Sequence, residues 1–213
     1  MEVTERERQI CTFCMVERFT EANPERTLFS ATDVQPEGVW AQHALWQYDK
    51  GGTLQDLLHK LKYEHLARVG VQLGRRLGQS VREHGTIYQM IDDGRPGVIL
   101  VPVPLHYLKQ VKRGFNQAFM IARGVSEVLD IPICDIKDVV RRRNTRSQTG
   151  FSLEQRQNNI RGAFRVNNPG AVAEKLAVVV DDVFTTGATS FELAGELTGA
   201  GALGVIILTV AQA

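Results

Sequence analysis

Cysteine is scarce in this chain: three in 213 residues. That odd, small number leaves no complete disulfide set and agrees with a reducing compartment. Long apolar runs are missing as well, and no stretch approaches the roughly 20 residues of a membrane span. The opening residues, Met1-Glu2-Val3-Thr4-Glu5-Arg6-Glu7-Arg8, have no apolar core of a signal peptide, so a cytoplasmic protein without membrane insertion is expected. Net charge is only +1 and says nothing about partners. No internal repeat or low-complexity tract occurs, which sets aside solenoids and disordered tails.

What is present is an ordinary globular composition, 43% hydrophobic and 23% charged. The length suits one domain of about 150 to 170 residues with an appendage. Residues 1–43, with Cys11 and Cys14 and little periodicity, read as the appendage, and residues 44–213 as the domain. Within it, residues 44–48 suggest a short strand and Thr53 a helix N-cap. Leu54, Leu57, Leu58, Leu61, Leu66, Val69, Leu73, Leu77 and Val81 recur at helical steps, giving one long helix or two joined near His65. A buried strand follows at 98–104, a helix from 114 to about 129, a strand at 138–143 and a long polar loop over 144–161. A short strand at 163–166, a strand at 176–183, a helix at 187–199 and a strand at 203–210 complete the pattern. Strands alternating with helices predict a mainly parallel, open α/β sheet flanked by helices.

Ala177-Val178-Val179-Val180-Asp181-Asp182-Val183-Phe184-Thr185-Thr186-Gly187-Ala188-Thr189-Ser190 concentrates the chemistry. A β-branched strand ends in two adjacent carboxylates, then a turn of small hydroxyl residues opens a helix. Ligands of open α/β sheets meet the carboxyl ends of the strands. Free backbone N–H groups at a helix start suit a phosphate. Neighbouring carboxylates repel unless something binds them. A sugar phosphate, with an anion at one end and a diol at the other, fits such a segment.

Charge is unevenly spread: residues 104–165 hold 12 Lys and Arg against 5 Asp and Glu. Such an excess attracts phosphates, nucleotides or single-stranded nucleic acid. The aromatics that would stack bases are few there: Tyr107, Phe115, Phe119, Phe151 and Phe164. The basic excess therefore fits a phosphate ligand better than a nucleic acid.

The 177–190 segment resembles the phosphoribosyl pyrophosphate (PRPP) signature of type I phosphoribosyltransferases, and the resemblance implies that fold. It further implies Asp181 and Asp182, the candidate catalytic pair, on the ribose hydroxyls. Thr185, Thr186, Gly187, Ala188 and Thr189 would surround the 5′-phosphate. Three further blocks narrow the family. They are Val101-Pro102-Val103-Pro104-Leu105; Lys112-Arg113-Gly114-Phe115-Asn116-Gln117-Ala118; and Arg141-Arg142-Arg143-Asn144-Thr145-Arg146-Ser147-Gln148-Thr149-Gly150, with Arg156, Asn159 and Phe164 behind it. With Tyr48 and Leu61-Lys62-Tyr63, these are similar to the ComF family of competence-associated, phosphoribosyltransferase-like proteins, over about residues 44–213.

That resemblance implies pyrophosphate binding at Pro102, Val103 and Pro104, helped by Arg113. It implies a mobile loop over 142–160 carrying Arg142, Thr145, Gln148 and Arg156. Mg²⁺ would arrive with PRPP. The reaction implied is phosphoribosyl transfer (a pentosyl glycosyltransferase of nucleotide metabolism) to an unidentified base or amine, with release of pyrophosphate. The alternative is a non-catalytic PRPP-binding or single-stranded-DNA-associated accessory protein in DNA uptake, partnered by the competence machinery. Relatives carry a zinc module with more than one Cys pair, whereas only Cys11 and Cys14 stand here. Two thiolates do not fill a four-coordinate zinc site, so zinc stays open, as do His43 as a further ligand and the oligomeric state.

Overall fold

A computed structural model describes residues 18–22, 36–63, 66–93, 97–145 and 153–213. Its centre is a four-stranded sheet in the order β1-β6-β5-β2, formed by β1 (Val39–Gln47), β2 (Val98–Pro102), β5 (Leu176–Phe184) and β6 (Gly204–Gln212). Every pairing in it is parallel. A separate antiparallel ribbon joins β3 (Val139–Arg141) to β4 (Phe164–Val166). The helices are α1 (Thr53–Tyr63), α2 (Ala67–Glu83), α3 (Gly85–Asp93), α4 (Tyr107–Arg113), α5 (Gln117–Leu129), α6 (Leu153–Ile160) and α7 (Ala188–Gly199). The chain is thus an α/β protein with a parallel central sheet flanked by helices. Among the described residues, no helix is long and apolar enough to cross a membrane.

Parallel sheets bury both faces, so their strands are continuously apolar rather than alternating. β6 is buried at all nine residues, and β5 at its first five. Alternate side chains then feed two cores. Val178, Val180, Ile206 and Leu208 join Leu54, Leu58, Leu61, Leu73, Leu77 and Ile121 beneath α1, α2 and α5. Ala177, Val179, Val205 and Ile207 join Leu193, Leu197, Ile160 and Phe164 beneath α7 and the ribbon.

On the first face α2 and α5 cross backbone to backbone. A Cβ built on Gly124 would stand 2.1 Å from the Val71 carbonyl oxygen, and one on Gly74 would stand 1.9 Å from that of Ile121. No side chain fits between the helices at these two positions.

Several sequence expectations change. The short strand at 44–48 is the end of the longer β1, and residues 18–22 lie along it through Gln47 N–H to Thr20 O (2.8 Å) and the Phe19–Trp46 ring contact. The 54–81 periodicity resolves into two helices, with α3 continuing after His84. Thr53 is not the cap of α1. Asp49 is, its carboxylate accepting from Leu54 N–H (3.1 Å) and Gln55 N–H (2.9 Å), because a carboxylate two residues before Gly51-Gly52 folds back over the turn. The helix expected from 114 starts at Gln117, since Asn116 caps it and Gly114, at φ 78°, ends α4 instead. The polar stretch read as a loop over 144–161 contains α6.

Candidate functional site

β2 and β5 are parallel neighbours, so their carboxyl ends open together, and Val103 N–H donates to Val180 O at 2.9 Å just beyond the last pair. Pro102, Val103 and Pro104 are all buried there. The chain then turns into α4, whose N-terminus is capped by the His106 ring accepting from Leu108 N–H at 3.4 Å. Asn116 fixes the return: its Oδ1 accepts from Ala118 N–H (3.0 Å) and its Nδ2 donates to Val103 O (3.0 Å). One side chain therefore ties the start of α5 to the loop after β2.

At the end of β5, Asp182 is buried, with only 4% of its surface exposed. It is paired with Lys62, which reaches up from the last turn of α1. Its Oδ1 accepts from Gln117 Nε2 at 3.3 Å, and Gln117 Oε1 in turn accepts from Arg113 Nη1 at 2.9 Å. The Arg113 guanidinium lies 5.3 Å over the Tyr63 ring. Burial opposes ionisation of Asp182, yet Lys62 and the Gln117 hydrogen bond outweigh it and hold the carboxyl below its ordinary range. Burial likewise works against the Lys62 charge, and Asp182 overcomes it and raises that pKa.

Asp181 is partly exposed, and its Oδ1 accepts from Asp182 N–H at 2.8 Å. Burial and the neighbouring Asp182 charge push it well above the usual carboxylate range. The two adjacent acids are therefore unlike. Asp182 is held as an anion inside a network, and Asp181 is the one left partly exposed.

The turn that follows leads into α7. Thr185 is exposed, and the Thr186 hydroxyl oxygen is buried with no hydrogen-bond partner among the described residues. Gly187 adopts φ 75°, and a Cβ on it would come within 2.4 Å of the Phe191 ring, which stacks edge-on against Phe184. Only glycine fits that position. Ala188, buried, and Thr189, partly buried, form the first turn of α7. Gly187 has no side chain with which to cap the start of the helix. A buried hydroxyl beside a positive dipole end without a side-chain cap suits an anion.

Cations border the crevice from the other side. Lys109 Nζ donates to Thr145 O at 2.9 Å, and Arg141 donates to the Thr145 hydroxyl while lying 5.3 Å over the Phe164 ring. Burial, then the Arg141 charge, lowers the Lys109 pKa. Arg142 is exposed, with its backbone N–H on Ala163 O at 2.7 Å. Cys11, Cys14, Gln148 and the Arg156 side chain lie outside the described residues. Among the described residues no three His, Cys, Asp or Glu side chains gather as metal ligands. Cys134 is a buried free thiol, pushed up to about 11 by burial.

The structure thus gathers Asp181, Asp182, Thr186, Gly187 and Arg113 around the ends of β2 and β5. It adds Lys62, Tyr63, Gln117 and Arg141. Lys62 left a signal in the sequence: it falls on the stripe of Leu54, Leu58 and Leu61, where an apolar residue is expected. Gln117 stands in the Lys112–Ala118 block of the family resemblance, but its pairing with Asp182, 65 residues away, left no signal.

Several known proteins are similar to this chain in sequence. No family model matches the chain. It is 29% identical over 162 residues to competence protein F of Haemophilus influenzae, covering 75% of this chain and 68% of that protein. It is 33% identical over 159 residues to DNA utilization protein YhgH of Escherichia coli strain K12, covering 74% of this chain and 66% of that protein. This chain is a ComF-family protein. The YhgH protein of Salmonella typhimurium is 33% identical over 148 residues, covering 68% of this chain and 61% of that protein. The match spans about two thirds of the length of these relatives. The network at Asp182 is thus described in a chain related to proteins named for competence and DNA utilization.

Proposed function

We propose that this ComF-family chain acts in DNA uptake or utilization, the processes for which its relatives are named, and that it does so as a binder of PRPP. The observation that carries the ligand is the unpartnered, buried Thr186 hydroxyl at the uncapped start of α7, directly after the Asp181-Asp182 strand end. The 5′-phosphate lies against Thr185–Thr189 and the ribose hydroxyls against Asp181. Mg²⁺ keeps most of its coordination from ligand oxygens and water, and Asp181 is the carboxylate free to stand beside it. When bound, the ion neutralises the pyrophosphate arm. Asp182 is engaged with Lys62 and serves to hold α1 against the site.

A second reading, phosphoribosyl transfer with pyrophosphate release, is favoured by the cations at the end of β2. Arg113 and Lys109 act on each other electrostatically, and together they would offset the charge of a leaving polyanion.

Calorimetric titration with PRPP and Mg²⁺ tests both. Binding is expected, and Thr186→Val weakens it about ten-fold with melting unchanged, by loss of one hydrogen bond to a charged group. Unchanged affinity in that variant sinks the site assignment. Pyrophosphate release across a panel of bases and amines supports transfer, and binding without release supports the accessory role. This variant is cleaner than Asp182→Asn, which would also strand Lys62.

A further inference from the structure

Against the loop after β2 lies a cavity of about 620 Å³, lined in part by Pro102 and Pro104 of that loop, whose apolar remainder has no role yet. Its size is that of a small-molecule site. Pro104, Tyr107, Phe115, Phe119, Met120 and Val139 give it an apolar, largely aromatic wall. Arg141 stands in the same wall. That guanidinium is partly buried, its Nε is buried without a hydrogen-bond partner, and among the described residues no carboxylate lies within ion-pair distance of it. Its Nη2 is turned to the Thr145 hydroxyl and its face to Phe164. A desolvated charge without a close counter-ion is costly. The hydrogen bond and ring contact of the side chain are to neutral groups, Asp181 acts on it only from beyond ion-pair distance, and the guanidinium stands in an otherwise mostly apolar wall.

We propose that this cavity binds a planar aromatic carboxylic acid, the ring among Tyr107, Phe115, Phe119 and Met120 and the carboxylate on Arg141. The apolar walls select the ring. Arg141 selects the anion, since its fork of donors matches two carboxylate oxygens. Arg142, exposed at the rim, adds positive charge at the entrance, and Asp135, also exposed there, has its Oδ1 occupied by Lys137 N–H at 2.9 Å. A terminal nucleotide of a DNA strand offers similar chemistry, a flat ring with an anion. The volume, that of a small-molecule site, favours the small acid, because a strand also needs a groove along which to continue. The cavity shares Pro102 and Pro104 with the loop after β2, so its occupant would lie next to whatever the crevice holds.

The probe is 2-naphthoate, titrated into the full chain by calorimetry or ligand-observed NMR, with 2-naphthamide as the neutral isostere. The acid is expected to bind at least about ten-fold more tightly than the amide, the difference a charge-assisted hydrogen bond makes. Arg141→Met abolishes that preference, and Arg141→Lys restores part of it. Ile136→Trp is the independent variant. Ile136 lines the cavity yet is 58% exposed, so a larger ring there closes the chamber without disturbing the core, and naphthoate binding should fall ten-fold or more. Equal affinity for acid and amide, or full binding in Arg141→Met, overturns the proposal. So does binding of deoxynucleoside monophosphates or a short oligonucleotide more tightly than the acid. Because the probe is added without PRPP, naphthoate binding without PRPP binding would leave the cavity standing and remove the PRPP reading, and the reverse result would do the opposite.

Discussion

The two ends of α5 are built on opposite terms. Its second half meets α2 with bare backbone at Gly124, against Val71 and Gly74, and Glu127 pairs with Arg75 on the exposed flank of that contact. Its first half presents Asn116, Gln117, Phe119 and Met120, which respectively tie the loop after β2, bond Asp182 and wall the cavity. The clamp is rigid because no side chain intervenes at Gly124, and the other end works through side chains with specific partners. A helix clamped at one end can aim polar groups at the other within the narrow tolerances that binding needs.

The sharpest way to break that contrast is to put a side chain into the clamp. Gly124→Val should cost about 4 kcal/mol or more, because the obstructing atoms are backbone and cannot yield. Thermal denaturation reads the loss, and a variant that melts like the parent would mean the helices separate freely. Next in size is Lys62→Met. It leaves Asp182 buried and unpaired, at a cost of about 3 kcal/mol. The double variant Lys62→Met with Asp182→Asn should recover part of it, and urea denaturation of all three separates a pair effect from lost packing.

A third prediction concerns the far end of α2, where Ser80 Oγ meets His43 Nε2 at 2.9 Å. Burial, with the His84 charge adding, lowers His43 from 6.5 to about 4. The unfolded chain then binds the proton more readily, so this contribution is present above the unfolded value and is lost as pH falls from 6.5 towards 4. Stability should drop by about 2 kcal/mol between pH 7 and pH 5 on this account. His43→Gln, which keeps a partner for Ser80, should flatten that slope in melting curves, and an unaltered slope would assign the acid sensitivity elsewhere. The smallest effect belongs to Asn116→Ala. Loss of the cap costs about 1 kcal/mol, and hydrogen exchange should quicken at Ala118 while the Gly124 region stays protected.

The same contrast marks what the sequence disclosed. β5 and the turn into α7 were legible because a β-branched run, two acids and a small-residue turn are all local signals. The periodicity of α2 was equally plain. α4 escaped because it is seven residues long, buries none of them and starts at a histidine cap. α6 escaped because its sequence, LEQRQNNI, is almost wholly polar. The pairing of Lys62 with Asp182 joins residues 120 positions apart, and the cavity is a space between elements rather than a pattern in any one of them. Sequence periodicity reports which face is buried and carries no record of which polar group another will meet.

One pairing has a bearing on how the molecule comes into being. β1 lies beside β6, Val39 against Val205 through to Gln47 against Gln212, and Tyr48 N–H donates to Gln212 O at 2.7 Å. During synthesis β1 must wait, with its edge unsatisfied, while some 160 residues emerge before its neighbour exists. Contacts so distant along the chain slow folding, since a large loop has to close before they repay its entropy. The helical clamp of α2 and α5 can form long before that. Assembly should therefore proceed from the clamp outward, with the β1 edge sealed last and most open to aggregation while it waits.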